Sequence, residues 1–393
     1  MSIVPLPRGF RAAGTWAGIK KPGRGSDLGL LLADAAFPAA AMFTRNALLG
    51  AHIHVCREHL ERSGGLCRAI LVNSGCANCA TGEQGIENAR RTARALAERI
   101  GCPEEQILPI STGAIGAHLP MDRLLAAIPG LVDQAAADLA PEFARAIMTT
   151  DTHPKLESAT FDAGSSGIAR VTGVGKGAGM IHPDMATMLA FLTTDATLPD
   201  DVALVLREVV DRTFHRLSID GDTSPNDTVV LWAAGHQQPD DAELLDGALL
   251  DVASRLCRQI AADGEGATRL ITIEVRGAAS EADAAKVGRV IATSPLTKTA
   301  VAGRDPNWGR ILSAAGRAGV PIDTARARVW IGNSFLYEDG RPFPEREREA
   351  WRHLNEEREV VLGVDLGVGD EGADVWTCDL TADYVRINAD YRT

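Results

Sequence analysis

Positive charge is scarce in this chain of 393 residues: 40 lysines and arginines stand against 52 aspartates and glutamates, a net charge of −12 at pH 7. That balance argues against nucleic acid or an anionic membrane as the main partner. Cysteine is sparse too, seven in a scattered and odd set, which fits a reducing cytoplasm better than a disulfide framework. The opening MSIVPLPRGF lacks the charged-then-apolar pattern of a secretion signal. The most apolar early run, residues 30–43, is broken by Asp34 and Pro38 and is too short to span a bilayer. No internal repeat, low-complexity run or flexible Gly/Ser linker divides the chain. A cytoplasmic protein with no membrane partner is expected.

Metal signals are equally thin. Cys76 and Cys79 have CxxC spacing, but no second pair follows at zinc-site spacing, so two thiols packed in a turn are expected. His52, His54 and Cys56 alternate and would share one face of a strand. Three ligands from one short strand rarely close a tetrahedral site. No metal site is expected.

What is present is alternation of strand-like and helix-like segments, which points to α/β layers. Residues 68–72 read as a strand. Ile86, Ala89, Ala93, Leu96 and Ile100 then recur at helical spacing up to Gly101 and Pro103. Leu249, Ala253, Leu256 and Ile260 mark another helix, and Ile271, Ile273 and Val275 alternate as a half-exposed strand. Residues 360–366 and 373–380 read as a late pair of strands.

The richest stretch is TGVGKGAGMIHPDMATMLAF, residues 172–191. It sets Thr187 directly after the small Ala186, just beyond a glycine run that carries Lys176. A threonine inside a chain is a poor nucleophile. Once the bond before it is cut, its own α-amine, titrating near ~8, lies beside the hydroxyl and takes its proton. The run does not fit a phosphate loop, since Gly177 follows Lys176 where Ser or Thr is needed. Nor does it meet the dinucleotide-binding frame. Its glycines suit either a mobile surface loop or a close backbone approach to a ligand. The apolar MATMLAFLTTDA beyond it reads as a buried strand that would fix the new amino terminus. Lys176, the only Lys or Arg between Arg170 and Arg207, suits a carboxylate near the nucleophile.

Other polar clusters are less specific. Thr112 beside Gly113 offers a hydroxyl and an amide to one oxygen, as an oxyanion hole needs, although a helix cap or turn explains the pair as well. Thr149-Thr150-Asp151-Thr152 is either a cap or a substrate-binding turn. DGDTSPNDT, residues 220–228, resembles a calcium loop loosely but lacks the closing glutamate, and reads as a turn-rich structural segment. SPLTKTAVAGRDPNWGR, residues 294–310, reads as a structured functional loop.

Taken in order, RGF, NSGCANCATG, STGAIG, IMTTDTHPK, GVGKGAGMIHPDMATML, DGDTSPNDT, DGEGAT, DPNWGR and the ending YVRINADYRT resemble the ornithine acetyltransferase family, the glutamate N-acetyltransferases of arginine biosynthesis. The resemblance covers nearly the whole chain. It implies a layered α/β architecture of the ornithine acetyltransferase type, made as a precursor that cuts itself between Ala186 and Thr187. Residues 1–186 would form an α chain and residues 187–393 a β chain, the two remaining one folded unit. Thr187 is then the nucleophile, and Thr112 and Gly113 stabilise the oxyanion. Thr149, Lys176, Glu265, Asn388 and Thr393, with Thr187, hold the amino-acid substrate. The family usually has Asn where Cys76 stands and a threonine-like residue where Pro225 stands, which leaves acceptor breadth less secure than reaction class.

The activity implied is acetyl transfer from N2-acetylornithine to glutamate through an acetyl-threonine ester. No cofactor is required. Some members also use acetyl-coenzyme A, and no residue decides this for the present chain. An assembly of two α and two β chains is implied as well. A related acyltransferase of a secondary-metabolite pathway, or a self-cleaving amidase or aminopeptidase, would need only a different acceptor and stays open at this point.

Overall fold

Alternating side chains fix the layers. In the strand Leu28–Phe43, Leu28, Leu30 and Leu32 face one side and Leu31 and Ala33 the other, and all are buried. A strand buried on both faces must lie between two packed layers. The computed structural model, which describes residues 4–182, 188–198 and 201–390, shows what those layers are.

The larger sheet has the spatial order Ile107–Ala114, Leu66–Cys76, Leu28–Phe43, Thr228–Gln237, Leu189–Ala196, Ile168–Lys176 and Lys155–Asp162, with Phe10–Thr15 paired to Leu28–Phe43. The long strand joins two half-sheets. Its first part pairs with Leu66–Cys76 and its last part with Thr228–Gln237, with a register shift between Leu32 and Phe37. Pro38 lies just past that irregularity, where a missing N–H is tolerated. The run that sequence reading denied to the membrane is thus a bent strand. Among the described residues no helix is long and apolar enough to cross a bilayer.

The half-sheets face each other. Leu31, Ile70, Val72 and Leu108 of one share a core with Val174, Phe191, Val230 and Trp232 of the other. Helices cover the outer faces. Gly82–Ile100 and Met121–Gln134 pack on the first half through Ala93, Leu96, Leu124 and Ile128. Val202–Arg212 and Ala242–Ala262 pack on the second through Leu206, Val210, Leu249 and Val252. The result is helices, sheet, sheet, helices, the layered α/β class expected. A second sheet, built around Leu270–Ala278 and Glu359–Asp365, forms its own core with Glu281–Ala292 and Trp308–Gly316.

Two features matter for the site. Ile168–Lys176 and Leu189–Ala196 are antiparallel neighbours in the larger sheet, so strands from either side of position 187 interleave. The histidine and cysteine alternation is corrected: residues 52–56 lie in the helix Ala51–Arg62. His52, Cys56 and His59 recur at helical spacing and are buried, while His54 points to solvent. No set of three or more metal-ligating side chains occurs among the described residues.

Candidate active site

One pocket gathers six of the sequence-selected residues: Thr112, Gly113, Thr149, Lys176, Glu265 and Asn388. They come from separate elements. Thr112 and Gly113 end the strand Ile107–Ala114, and Lys176 ends Ile168–Lys176. Thr149 follows the helix Ala140–Ile147, and Glu265 follows Ala242–Ala262. Asn388 lies on the C-terminal helix Ala382–Asp390. Ala186, Thr187 and Thr393 lie outside the described residues.

Thr112-Gly113 is neither a cap nor a turn; it lies where two parallel strands lose register. Around Gly75 and Cys76 the pairing with Ile107–Ala114 shifts, so Cys76 faces both Thr112 and Ala114. Gly113 has φ +131°, and a β-carbon there would lie 2.4 Å from the Gly75 carbonyl carbon. No larger residue fits.

The glycines around Lys176 divide in function. Gly173 sits in the strand, where a β-carbon would come within 2.7 Å of both Leu256 and Val252; it lets the helix Ala242–Ala262 pack close. Gly179 is the one that meets a pocket side chain, since a β-carbon there would lie 2.6 Å from the Glu265 carboxyl. The mobile-loop reading fails for this stretch: Gly173, Gly175 and Lys176 are buried in the strand.

Charge in the pocket is organised by Asp151. Its Oδ1 accepts from Lys155 at 2.7 Å and from the Gly177 N–H at 2.6 Å, and its Oδ2 accepts from the Thr149 N–H at 2.9 Å. One carboxylate therefore ties the Thr149 turn to the Lys176 loop. Lys155 also pairs with Asp263 at 2.6 Å. Burial pushes the Asp151 carboxyl up, but the Lys176 and Lys155 cations outweigh it and hold it below the usual carboxylate range. Burial pulls the Lys176 ammonium down, opposed chiefly by Asp151, with smaller help from Asp227 and Glu265. Glu265 receives the Asn388 amide at 2.9 Å, and its own N–H donates to the Ala178 carbonyl at 2.7 Å.

Sequence reading missed several contributors. Asp151 was one member of a polar cluster, and its role depends on Lys155 and Gly177, which no local pattern connects to it. Of the three hydroxyls in TTDT, Thr149 and Thr150 line the pocket, whereas Thr152 bonds Asp263. Ser224, Pro225 and Asn226 of the turn-rich segment also line it, and Asn226 donates to the Ala77 and Ser111 carbonyls at 2.6 and 2.7 Å. Lys20 donates to the Met148 carbonyl at 2.8 Å, just before Thr149; burial lowers its pKa to about 8. Cys76 and Cys79 are buried free thiols whose pKa values burial raises. The 294–310 segment forms two helices, and its Lys298 is buried against the Ile219 carbonyl.

The family model described as ArgJ matches residues 11–393. The chain belongs to the ArgJ family. An ArgJ relative from Thermus thermophilus, named arginine biosynthesis bifunctional protein ArgJ, is 46% identical over 391 residues, covering 99% of this chain and all of the relative (100%). One of the same name from Prochlorococcus marinus is 43% identical over 400 residues, covering 99% of this chain and 93% of the relative. A solved ArgJ structure from Bacillus halodurans, 40% identical, covers 51% of this chain and 98% of its own, with a TM-score of 0.49. The family suggested by the ordered motifs is the one found.

Proposed function

We propose that the pocket transfers an acetyl group from N2-acetylornithine to glutamate through an ester on Thr187, after the chain cuts itself between Ala186 and Thr187. The observation that carries this reading is the convergence of Thr112, Gly113, Thr149, Lys176, Glu265 and Asn388 on one pocket, in a chain of the ArgJ family. Membership in that family makes the chain an acetyltransferase of arginine biosynthesis.

The freed amine of Thr187 takes the hydroxyl proton, and Oγ attacks the acetyl carbonyl of the donor. The tetrahedral oxyanion is held by the Thr112 hydroxyl and the Gly113 amide. The amide bond to ornithine breaks, the leaving amine takes the proton, and acetyl stays on Oγ as an ester. Glutamate then enters, its amine attacks that ester, and N-acetylglutamate leaves with Thr187 restored. An amide is exchanged for an amide of similar energy, so no cofactor is needed. Lys176, buried at the end of its strand, pairs with a substrate carboxylate; Glu265, braced by Asn388, pairs with an ammonium. Thr393 completes the substrate-holding set.

Relatives carry the word bifunctional in their name, which supports acetyl-coenzyme A as a second donor to the same hydroxyl. A cytoplasmic assembly of two α and two β chains belongs to the same reading, and native mass spectrometry tests it. The activity is tested with purified protein and N-acetylornithine, with and without glutamate, and separately with acetyl-coenzyme A and glutamate. Glutamate-dependent release of ornithine is the expected result. Release of acetate at an equal rate without glutamate would mark a hydrolase instead.

A further inference from the structure

The segment 220–227, which sequence reading set aside as a structural turn, grips the chain on both sides of residues 183–187. On the upstream side, Asp220 Oδ2 accepts the Met180 N–H at 2.6 Å and Oδ1 the Ile181 N–H at 3.0 Å. The Ile181 carbonyl receives the Ile219 N–H at 2.8 Å and the Ser218 hydroxyl at 3.3 Å. On the downstream side, Asp227 Oδ1 accepts the Met188 N–H at 3.0 Å, and the Thr228 N–H donates to the Met188 carbonyl at 3.2 Å. Buried Lys298 supports the start of this segment through the Ile219 carbonyl. Two carboxylates seven positions apart thus hold backbone that is separated by the cut.

We propose that Asp220 and Asp227 are positioning residues for the self-cleavage, fixing the two flanks so that the Thr187 hydroxyl meets the Ala186 carbonyl. This rests on the reading of Ala186–Thr187 as the bond that breaks. In that step Thr187 Oγ bonds the Ala186 carbonyl carbon, the Ala186–Thr187 C–N bond breaks, and the hydroxyl proton passes to the departing nitrogen. Water then cleaves the ester, leaving a carboxylate on Ala186 and a free hydroxyl and amine on Thr187. The nitrogen that departs belongs to the residue bonded directly to Met188. Anchoring the Met188 N–H therefore limits where that nitrogen and its hydroxyl lie.

Asp227 has a second feature that suits it to this place. It is wholly buried, and among the described residues its Oδ2 has no hydrogen-bond partner. The neighbouring Thr44 hydroxyl gives its proton to the Ser224 carbonyl at 2.7 Å. A buried carboxyl with an open oxygen is costly unless it serves a purpose. Here a new amine appears one residue from its anchor when the chain is cut. Burial raises this carboxyl's pKa well above its ordinary range.

The test follows cutting of the full chain after pulse-labelled cell-free synthesis, for wild type, Thr187→Ala, Asp227→Ala, Asp227→Asn and Asp220→Ala. Circular dichroism and protease resistance report folding. Folded Asp227→Ala is expected to be cut about 100-fold more slowly, and Asp227→Asn, which keeps an acceptor for the Met188 N–H, to recover most of that rate. Wild-type cutting rates in folded Asp227→Ala, or an Asp227→Asn rate no better than Asp227→Ala, would overturn the proposal. If Asp227→Ala does not fold, Asp220→Ala decides by the same criterion from the other flank. A wild-type chain that stays whole would instead sink the cleavage reading itself, so the two failures are distinguishable.

Discussion

Lys155 and Asp151 form an ion pair at 2.7 Å with both side chains wholly buried, and that pair underlies the pocket. The same carboxylate holds the Thr149 and Gly177 amides, so the charge that satisfies Lys155 also sets the spacing of two pocket walls. Without Asp151, Lys155 would keep Asp263, but buried Lys176 would lose its chief counter-charge and the Thr149 and Gly177 amides their acceptor. Breaking such a buried network typically costs about 3–5 kcal/mol. Asp151→Ala should lose stability of that order in urea unfolding.

The pair also fixes the sign of an acid response. Asp151 is held below its unfolded value, near ~3.9 for an ordinary aspartate. Its contribution is therefore present above that pH and disappears as pH falls through the lower folded value. The stability gap between wild type and Asp151→Asn should be constant near neutrality and shrink only below about pH 4. Urea titrations from neutral to strongly acidic pH check this; a gap that closes near pH 7 would contradict it.

His52 gives a second pH signature, independent of the Asp151 pair. Burial lowers its pKa to about 3, and among the described residues neither ring nitrogen has a hydrogen-bond partner. The Asn226 backbone lies close by, outside hydrogen-bonding geometry. Between about 3 and its unfolded value near ~6.5, the unfolded chain binds the extra proton, so stability rises with pH across that window. His52→Leu should flatten this dependence in thermal melts, and a chelator should leave the wild-type melt unchanged.

The oxyanion pair is tested by a change that preserves volume. Thr112→Val removes the hydroxyl and should lower kcat by ~100-fold or more, with a much smaller change in KM for N-acetylornithine. Gly113→Ala should be worse, because its β-carbon would also press on the Gly75 and Cys76 backbone at 2.4–2.5 Å. Steady-state kinetics with folding checked by circular dichroism measures both.

Glu265→Gln separates the two substrates. The variant loses a charge that suits ornithine's ammonium. A charged hydrogen bond of this kind is worth about 1.5–3 kcal/mol, so KM for N-acetylornithine should rise about tenfold or more. KM for glutamate should rise less. Equal increases for both substrates would show that Glu265 does not discriminate between them.

Local pattern carried much of the fold. The alternation Ile271, Ile273, Val275 and the helical spacing of Ala89, Ala93 and Leu96 appear as a strand and a helix with those side chains buried. Residues 52–56 misled, because over so short a stretch His52, His54 and Cys56 satisfy a period of two. Only the longer run to His59 exposes the helical period. The candidate site was legible through the ordered motifs. The roles of Asp151, Asp220 and Asp227 were not, because each holds a backbone amide tens of residues away, which sequence spacing does not encode.

The central claim is that one residue, Thr187, begins the second chain and carries the acetyl group. Intact mass spectrometry of the purified protein, mixed briefly with N-acetylornithine in the absence of glutamate, tests it most directly. Two fragments meeting at 186/187 are expected, the one beginning at Thr187 heavier by a single acetyl group that glutamate then removes. An uncut chain that turns over at full rate, or an acetyl group retained on the fragment ending at Ala186, would contradict it.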